Sequence, residues 1–238
     1  MPRELDIAAL NLAQKARAAE TLLGEVLNGG AFGRIALVSS FGAESAVLLH
    51  LVSRVKPDTP VIFLDTQMLF QETLEYQLEL SRLFGLSDVR RITPDAAAVR
   101  RNDVFGRRHL KDTDGCCNLR KVLPLERALS GFDGWITGRK RHQAASRAGI
   151  DLFEGADGRL KVNPLAHWET RDVQAYFNTH DVPRHPLVRE GYASIGCAPC
   201  TTPVGDGEDL RAGRWRDSDK TECGIHFGAD GKVVRPAA

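Results

Sequence analysis

Residues 34–45, RIALVSSFGAES, decide how the fold is read. The run 34–40 is apolar through its middle without alternation and is bounded by glycine on both sides. That is the pattern of a strand buried on both faces, not of one with a wet side. Residues 43–55, AESAVLLHLVSRV, follow at once and are apolar almost all the way round, so they predict a helix pressed against a sheet. A strand, a glycine turn and a buried helix make the opening half of a βαβ unit.

Working outward, the same alternation recurs. PVIFLDT (60–66) reads as a second buried strand. It feeds a long helix with Leu69, Thr73, Tyr76, Leu80, Leu83 and Phe84 on one side. DVRRIT (88–93) predicts a short strand, with a helix beginning after Pro94. GWITGRK (134–140) predicts another strand whose end carries a basic loop. NPLAHWETRDVQAYFNTHDVP (163–183) predicts a helix capped near Thr170 and Asp172. Upstream, residues 5–27 place Leu5, Ala8, Ala9, Leu12, Ala16, Ala19, Leu23, Val26 and Leu27 on one face of an amphipathic helix that ends near Gly29 and Gly30. Beyond Pro186 the chain turns rich in glycine, proline and charge. The expected fold is α/β: a parallel-rich twisted sheet of Rossmann type flanked by helices, with a mostly irregular C-terminal arm. Residues 1–30 read as a helix packing on the domain, 31–187 as a nucleotide-binding domain, and 188–238 as the arm.

Bulk properties narrow the function. The chain of 238 residues is 42% hydrophobic and 26% charged, the balance of a globular protein, and its net charge is only +1. No global field recruits nucleic acid or a membrane, so attraction for anions must be local. No apolar run approaches the roughly 20 residues that cross a bilayer, and the opening residues lack the basic and apolar regions of a secretory leader. A cytoplasmic location is expected, where grouped cysteines mean metal or catalysis more often than disulfides.

In an open α/β sheet, ligands bind outside the carboxyl ends of strands, near helix N-termini. In SSFGAES, Gly42 allows close backbone approach and Ser39, Ser40 and Ser45 add hydroxyls, which suits phosphate or sulfate. A tight turn without a ligand would read the same way, and the Walker ending is absent. The five cysteines fall as two, two and one. DTDGCCNLRK (112–121) carries Cys116 and Cys117, and SIGCAPCTTP (194–203) carries Cys197 and Cys200. Four thiolates suit a [4Fe–4S] cluster or a structural zinc. Adjacent cysteines on a helix diverge by about 100°, which serves two irons of one cubane better than two corners of one tetrahedron; zinc stays open on these grounds. The lone Cys223, in KTECGIHF (220–227), is either a small buried apolar residue or a nucleophile. Its neighbours Lys220 and His226, with Arg211 and Arg214 in RAGRW upstream, favour a thiolate over the usual thiol of pKa about 8.5.

These segments together carry a resemblance. SSFGAES is similar to the modified phosphate loop of the PP-loop, adenosine nucleotide α-hydrolase-like proteins, and FLDTQMLFQET (63–73) resembles an element of the sulfonucleotide reductases within that group. TGRKRHQAAS (137–146) resembles their arginine-bearing loop, and ECGIH their catalytic motif. GCCNLRKVLPL (115–125) and GCAPCTTPV (196–204) match the cluster-binding segments of the iron–sulfur branch, the assimilatory adenylyl-sulfate reductases. Two departures stand out: Gln67 replaces the family's glycine, and the spacing from RAGRW to ECGIH is short.

The resemblance implies thioredoxin-dependent reduction of adenylyl sulfate to sulfite and AMP in sulfate assimilation, through an S-sulfocysteine on Cys223. It implies one [4Fe–4S] cluster on Cys116, Cys117, Cys197 and Cys200, acting structurally and electrostatically. The nucleotide would lie against Ser39, Ser40, Phe41, Gly42, Ala43, Glu44 and Ser45, beside Leu64, Asp65 and Thr66, and under the loop bearing Arg139, Arg141 and Gln143. Lys121 would stand between cluster and substrate and, with Arg141, Arg211, Arg214 and His226, would neutralise the phosphosulfate. Thioredoxin or a glutaredoxin would be the reductant; nucleic acid and membrane are not expected partners, and a homo-oligomer is left open. A 3′-phosphoadenylyl-sulfate or dual-specificity reductase is the alternative within the family. An RNA-thiolating PP-loop enzyme and a zinc-stapled nucleotide-binding module are those outside it.

Overall fold

A computed structural model describes residues 6–14, 18–156, 158–216, 218, 220 and 222–224. At its centre is a six-stranded sheet formed by β1 (Ile35–Ser39), β2 (Val61–Leu64), β3 (Val89–Ile92), β4 (Gly134–Ile136), β5 (Phe153–Ala156) and β6 (Arg159–Val162). Their order is β3-β2-β1-β4-β6-β5, parallel throughout except for β5, which runs antiparallel to β6. The α/β, parallel-rich expectation holds.

The continuous apolar runs are explained by the way successive residues part to opposite faces. Ile35 and Leu37 of β1, Val61 and Phe63 of β2, and Ile136 of β4 enter one core. That core is closed by α2 (Ala19–Asn28), α3 (Ser45–Val55), α4 (Gln71–Leu83) and α8 (Thr170–Thr179). Their neighbours Ala36, Ile62, Leu64 and Trp135 enter a smaller core under α7 (Leu123–Leu129), with Leu125 and Leu129. A strand with both faces covered has no polar side to alternate with.

Helix ends follow local chemistry. Asp95 caps α5 (Ala96–Asn102) by accepting from the Ala98 amide at 2.7 Å, and Asp112 caps α6 (Thr113–Cys117) through the Gly115 amide at 2.7 Å. The expected start of α8 is a reciprocal capping box between Glu169 and Asp172. Between α6 and α7 the helix widens for one turn over 118–122, with the Leu123 amide bonding back five residues to the Asn118 carbonyl. Such expanded turns re-aim side chains and recur at functional sites.

Expectations for three elements need correction. The single helix over 5–27 is two helices, α1 (Ile7–Gln14) and α2, with Ala18 extended between them. Its apolar face is also different in α1: Leu12 is 80% exposed, and Ala8 and Ala9 face water. The cause is Asn11, which donates to the Phe153 carbonyl and accepts from the Phe153 amide, both at 2.9 Å. The side-chain amide thus satisfies part of the exposed edge of β5, and that contact sets which face of α1 turns inward. Leu5 and Ala16 lie outside the described residues. The hairpin β5–β6 goes beyond the elements expected from the sequence. Its strands FEGA and RLKV carry Glu154 and a buried Lys161, so no apolar run marks them. In α4, Leu83 is 55% exposed, so the buried stripe ends at Leu80.

Candidate active site

The chain leaves β1 toward β2 on one side, and β4 lies on the other, so the crevice at their carboxyl ends is a topological switch point. A cavity of about 250 Å³ occupies it. Ser39, Ser40, Gly42, Ala43, Glu44 and Ser45 form one wall, and Leu64 and Thr66 at the end of β2 form the floor with Trp135. The serine loop is internally ordered. Ser45 Oγ accepts from the Gly42 amide at 3.0 Å, and Ser39 Oγ accepts from the Phe41 amide at 3.2 Å. A Cβ on Gly42 would lie 3.1 Å from the Ile195 carbonyl oxygen, so glycine lets the C-terminal arm close over the loop.

Three of the expected contacts do not line this cavity. Phe41, in the left-handed region at φ 49°, is fully buried edge-on against Phe63, with ring centroids 5.0 Å apart. It anchors the loop from below. Asp65 is gripped by Arg91 at 2.7 Å and caps the Gln67 amide at 2.9 Å. Gln67 itself sits at φ 60°, which accounts for glycine in the family pattern. Arg141 turns outward: its guanidinium donates to the Ile150 carbonyl at 2.6 Å and to Asp151 at 2.8 Å. From the same loop Arg139, Lys140, His142, Gln143 and Arg147 face the cavity instead.

The arm closes the far side with Arg211, Arg214, Glu222 and Cys223. A chain of polar contacts fastens it. Lys140 meets Glu44 at 2.9 Å, and Gln143 donates to the same carboxylate at 2.9 Å. Arg147 donates to Gln143 at 2.6 Å and forks onto Glu222 at 2.6 and 2.8 Å. Arg211 reaches Glu222 at 3.5 Å. Glu222 is the residue before Cys223, so this clamp fixes the thiol at the cavity wall. Burial pushes the Glu222 and Glu44 carboxyls up, but Arg147 and Lys140 respectively outweigh it and hold both below the usual range. Burial draws Arg211 down to about 10. Arg147, Glu222 and Trp215 were not singled out in the sequence; only the density of arginine in residues 137–147 hinted at the first. His226 lies outside the described residues.

Below the floor is a second, much smaller cavity of about 10 Å³. Cys116, Cys117, Cys197 and Cys200 line it together, joined by His109, Arg120 and Met68. Cys197 is placed by an isolated bridge to Leu69 and lies 3.2 Å from the Thr66 hydroxyl. Burial raises the Cys116 and Cys117 thiols to about 11, so as free thiols they stay protonated at neutral pH, and a metal would have to displace those protons. Lys121 and Trp215 line both cavities. Burial lowers Lys121, yet Cys197, Cys223 and Cys117 around it reverse the effect and raise it. This lysine therefore lies between the four-cysteine group and Cys223.

Buried polar atoms in folded proteins are nearly always bonded, so an orphan marks a missing partner. Among the described residues, Arg139 Nε and Arg214 Nε are buried orphans at the larger cavity, and His109 Nδ1 is one at the cysteine cavity. Two unpartnered guanidinium donors suit an anion above. Four convergent thiols with an unpartnered imidazole and the adjacent cations Arg120 and Lys121 suit a thiolate-bound metal group below.

A doubly covered parallel sheet with a hydroxyl-rich, cation-walled crevice at its switch point defines a nucleotide-binding α/β protein. A family model for the phosphoadenosine phosphosulfate reductase domain matches residues 34–203. The chain is 52% identical over 193 residues to the adenosine 5′-phosphosulfate reductase of Mesorhizobium japonicum, covering 81% of this chain and 76% of that one. It is 40% identical over 215 residues to the phosphoadenosine 5′-phosphosulfate reductase of Gloeobacter violaceus, covering 88% of each. Among solved structures, the phosphoadenylyl-sulfate reductase of Candida auris in a phosphate complex superposes with a TM-score of 0.68 at 25% identity, covering 83% of this chain and 96% of that one. The chain belongs to the phosphoadenosine phosphosulfate reductase domain family. No described helix is long and apolar enough to cross a membrane.

Proposed function

We propose that this protein reduces adenylyl sulfate to sulfite and AMP in sulfate assimilation, with Cys223 as nucleophile. The observation that carries the reading is the placement of Cys223 on the wall of an anion-seeking nucleotide cavity, held there by its neighbour Glu222. Adenylyl sulfate offers a sulfur bonded to a good leaving group. The Cys223 thiolate attacks that sulfur, an S–S bond forms, the S–O bond breaks, and AMP departs with the electron pair. Lys121, Arg139 and Arg214 face the phosphosulfate and lessen the repulsion between approaching anions. A protein dithiol, thioredoxin or a glutaredoxin, then attacks Cys223 Sγ. Sulfite leaves, a mixed disulfide remains, and the second thiol resolves it, so the two electrons come from the dithiol.

Cys116, Cys117, Cys197 and Cys200 would hold one [4Fe–4S] cluster, with His109 and Lys121 as its polar neighbours. When bound, the cluster supplies a fixed anionic centre on the far side of Lys121. Lys121 holds its proton between the two sulfur sets and orients the sulfate end of the substrate. Leu64, Trp135 and Leu48 exclude water around the nucleoside.

The test is an intact-mass measurement after incubation with adenylyl sulfate and no reductant. One sulfo group should appear on Cys223, and Cys223→Ser should acquire none; adduct on the serine variant would remove the proposed nucleophile. Since one relative is named for the 3′-phosphorylated nucleotide, the same assay with 3′-phosphoadenylyl sulfate separates strict from dual specificity. Protein purified without oxygen should be brown and contain iron, whereas colourless protein with zinc would overturn the cluster.

A further inference from the structure

We infer that the segment 100–111, between α5 and the cysteine-bearing α6, is the docking surface for the acidic protein dithiol that discharges Cys223. This inference rests on the reductase reading above. The tip of the segment breaks the usual rule of burial. Phe105 is 85% exposed, Leu110 71% and Val104 67%. Exposed apolar side chains scattered singly are ordinary, but three within seven residues form a patch. Arg100, Arg101, Arg107 and Lys111 surround it, all exposed. The acids in and beside the segment are paired: Asp103 with Arg120, Asp112 with Arg108 of the segment itself, and Asp114 with Lys220. The patch is therefore apolar at its centre and positive at its rim, the complement of a partner with an apolar centre and an acidic rim.

The loop is also built to hold its shape. Asp103, buried at the base, accepts from the Arg108 amide at 2.9 Å and pairs with Arg120 at 2.8 Å. Arg120 donates onward to the Thr66 carbonyl at 2.9 Å, at the end of β2. Gly106, at φ 66°, turns the chain so that Phe105 stands outward. An apolar tip stapled to the cavity floor by a buried ion pair is presented in a fixed pose, which spares a partner the cost of ordering it.

Position supplies the occupant. Asp114 in the first turn of α6 pairs with Lys220, three residues before Cys223. His109 of the segment and Trp215 of the arm line the same small cavity. The segment thus borders the arm that a reductant must reach. A second copy of this chain fits poorly, since an isologous contact would set the same cations against one another. An RNA strand would stack on successive aromatic faces, and here Phe105 stands alone with aliphatic neighbours.

The experiment compares Phe105→Ser and the double charge reversal Arg101→Glu/Arg107→Glu with the parent. Titration with an acidic thioredoxin whose resolving cysteine is serine should show Kd raised about tenfold in each variant, with the KM for thioredoxin rising alike. The rate of adduct formation from adenylyl sulfate without reductant should stay at the parent value. Added salt should weaken the parent and not the charge reversal. Unchanged Kd in both variants overturns the docking surface. So does a parallel fall in adduct rate, which would make the loop a support of the substrate site, and so does a change of oligomeric state or loss of bound RNA as the only effect. If the parent forms no adduct yet binds thioredoxin through Phe105, the reductase reading fails and the docking surface stands.

Discussion

Replacing Arg120 with methionine removes a charge from a place where its partner has nowhere to go. The Arg120 and Asp103 side chains are 5% and 2% exposed, and two guanidinium nitrogens meet one carboxylate oxygen at 2.8 and 3.0 Å. A third reaches the Thr66 carbonyl at 2.9 Å. Methionine keeps the apolar stem but leaves the Asp103 carboxylate with only the Arg108 amide at 2.9 Å among these contacts. Breaking one side of a buried pair costs about 3–5 kcal/mol, to which the orphaned carbonyl adds about 1. Burial alone would raise the Asp103 carboxyl; in the parent Arg120, together with the Arg108 and Arg107 amides, overrides it and holds it low. The pair therefore stabilises the parent above the unfolded carboxyl value of about 3.9 and stops doing so as pH falls through the folded one. In Arg120→Met the sign reverses, and the buried carboxylate is a penalty at neutral pH that protonation relieves. Urea unfolding followed by circular dichroism at pH 7.5 and pH 5 should show a loss of about 4 kcal/mol that narrows on acidification. Arg120→Met/Asp103→Asn should recover much of it, giving a coupling above about 2 kcal/mol in the double-mutant cycle. A single-variant loss below about 1 kcal/mol, or strictly additive losses, would refute the reasoning.

Two further outcomes follow from buried groups in the sheet. Burial, with Arg139 beside it, draws the Lys161 ammonium down to about 7. Folding therefore carries a penalty that is complete below that pH and is relieved as pH climbs toward lysine's ordinary 10.4; the shift corresponds to about 5 kcal/mol. Lys161→Met should be more stable than the parent at pH 6 by up to that amount, with the gap closing by pH 10, and a pH-independent difference in urea midpoint would count against this. A Cβ on Gly134 would lie 2.5 Å from the Leu160 carbonyl oxygen of β6 and 2.9 Å from Ile35 Cδ1. Gly134→Ala should therefore cost about 1–3 kcal/mol and lower Tm by several degrees; an unchanged Tm would mean β4 can shift without loss.

The parts of the fold that were legible in the sequence share one property, a local signal with no competitor. β1 and β2 are unbroken apolar runs because both faces are covered, and α8 announces itself through Thr170 and Asp172, although the cap itself proves to be Glu169. The hairpin β5–β6 was not legible because its inward residues include a lysine. Lys161 is buried over the Trp135 ring, 5.8 Å away, and within 4.0 Å of Glu154, so its place in the core depends on partners 26 and 7 residues distant in sequence. The inward face of α1 was hidden for the same reason. Asn11 bonds Phe153, 142 residues on, and no periodicity in residues 5–27 can report that.

In the site the division is sharper. The cysteines and the serine loop are legible as candidates because thiols and hydroxyls in those spacings suit a metal and an anion, whereas Lys121 is legible only through the resemblance to the iron–sulfur branch. What sets their relative positions is a series of pairings between segments far apart in the chain. Within residues 139–147 the sequence offers three arginines, two of them beside Lys140, and nothing local distinguishes them. The structure does: Asp151 takes Arg141 outward, Glu154 pairs with Arg139, and Glu222 takes Arg147. Each arginine is therefore defined by the carboxylate that claims it. Seen this way, Glu222 is as much a part of the ECG motif as the cysteine after it. Arg147 holds Glu222 and also Gln143, Gln143 holds Glu44, and Glu44 belongs to the serine loop. One run of charge thus links the loop that would receive the nucleotide to the residue beside the thiol. A nucleotide that displaced Lys140 or Gln143 from Glu44 would act on the seating of Cys223 through Arg147, without touching the arm.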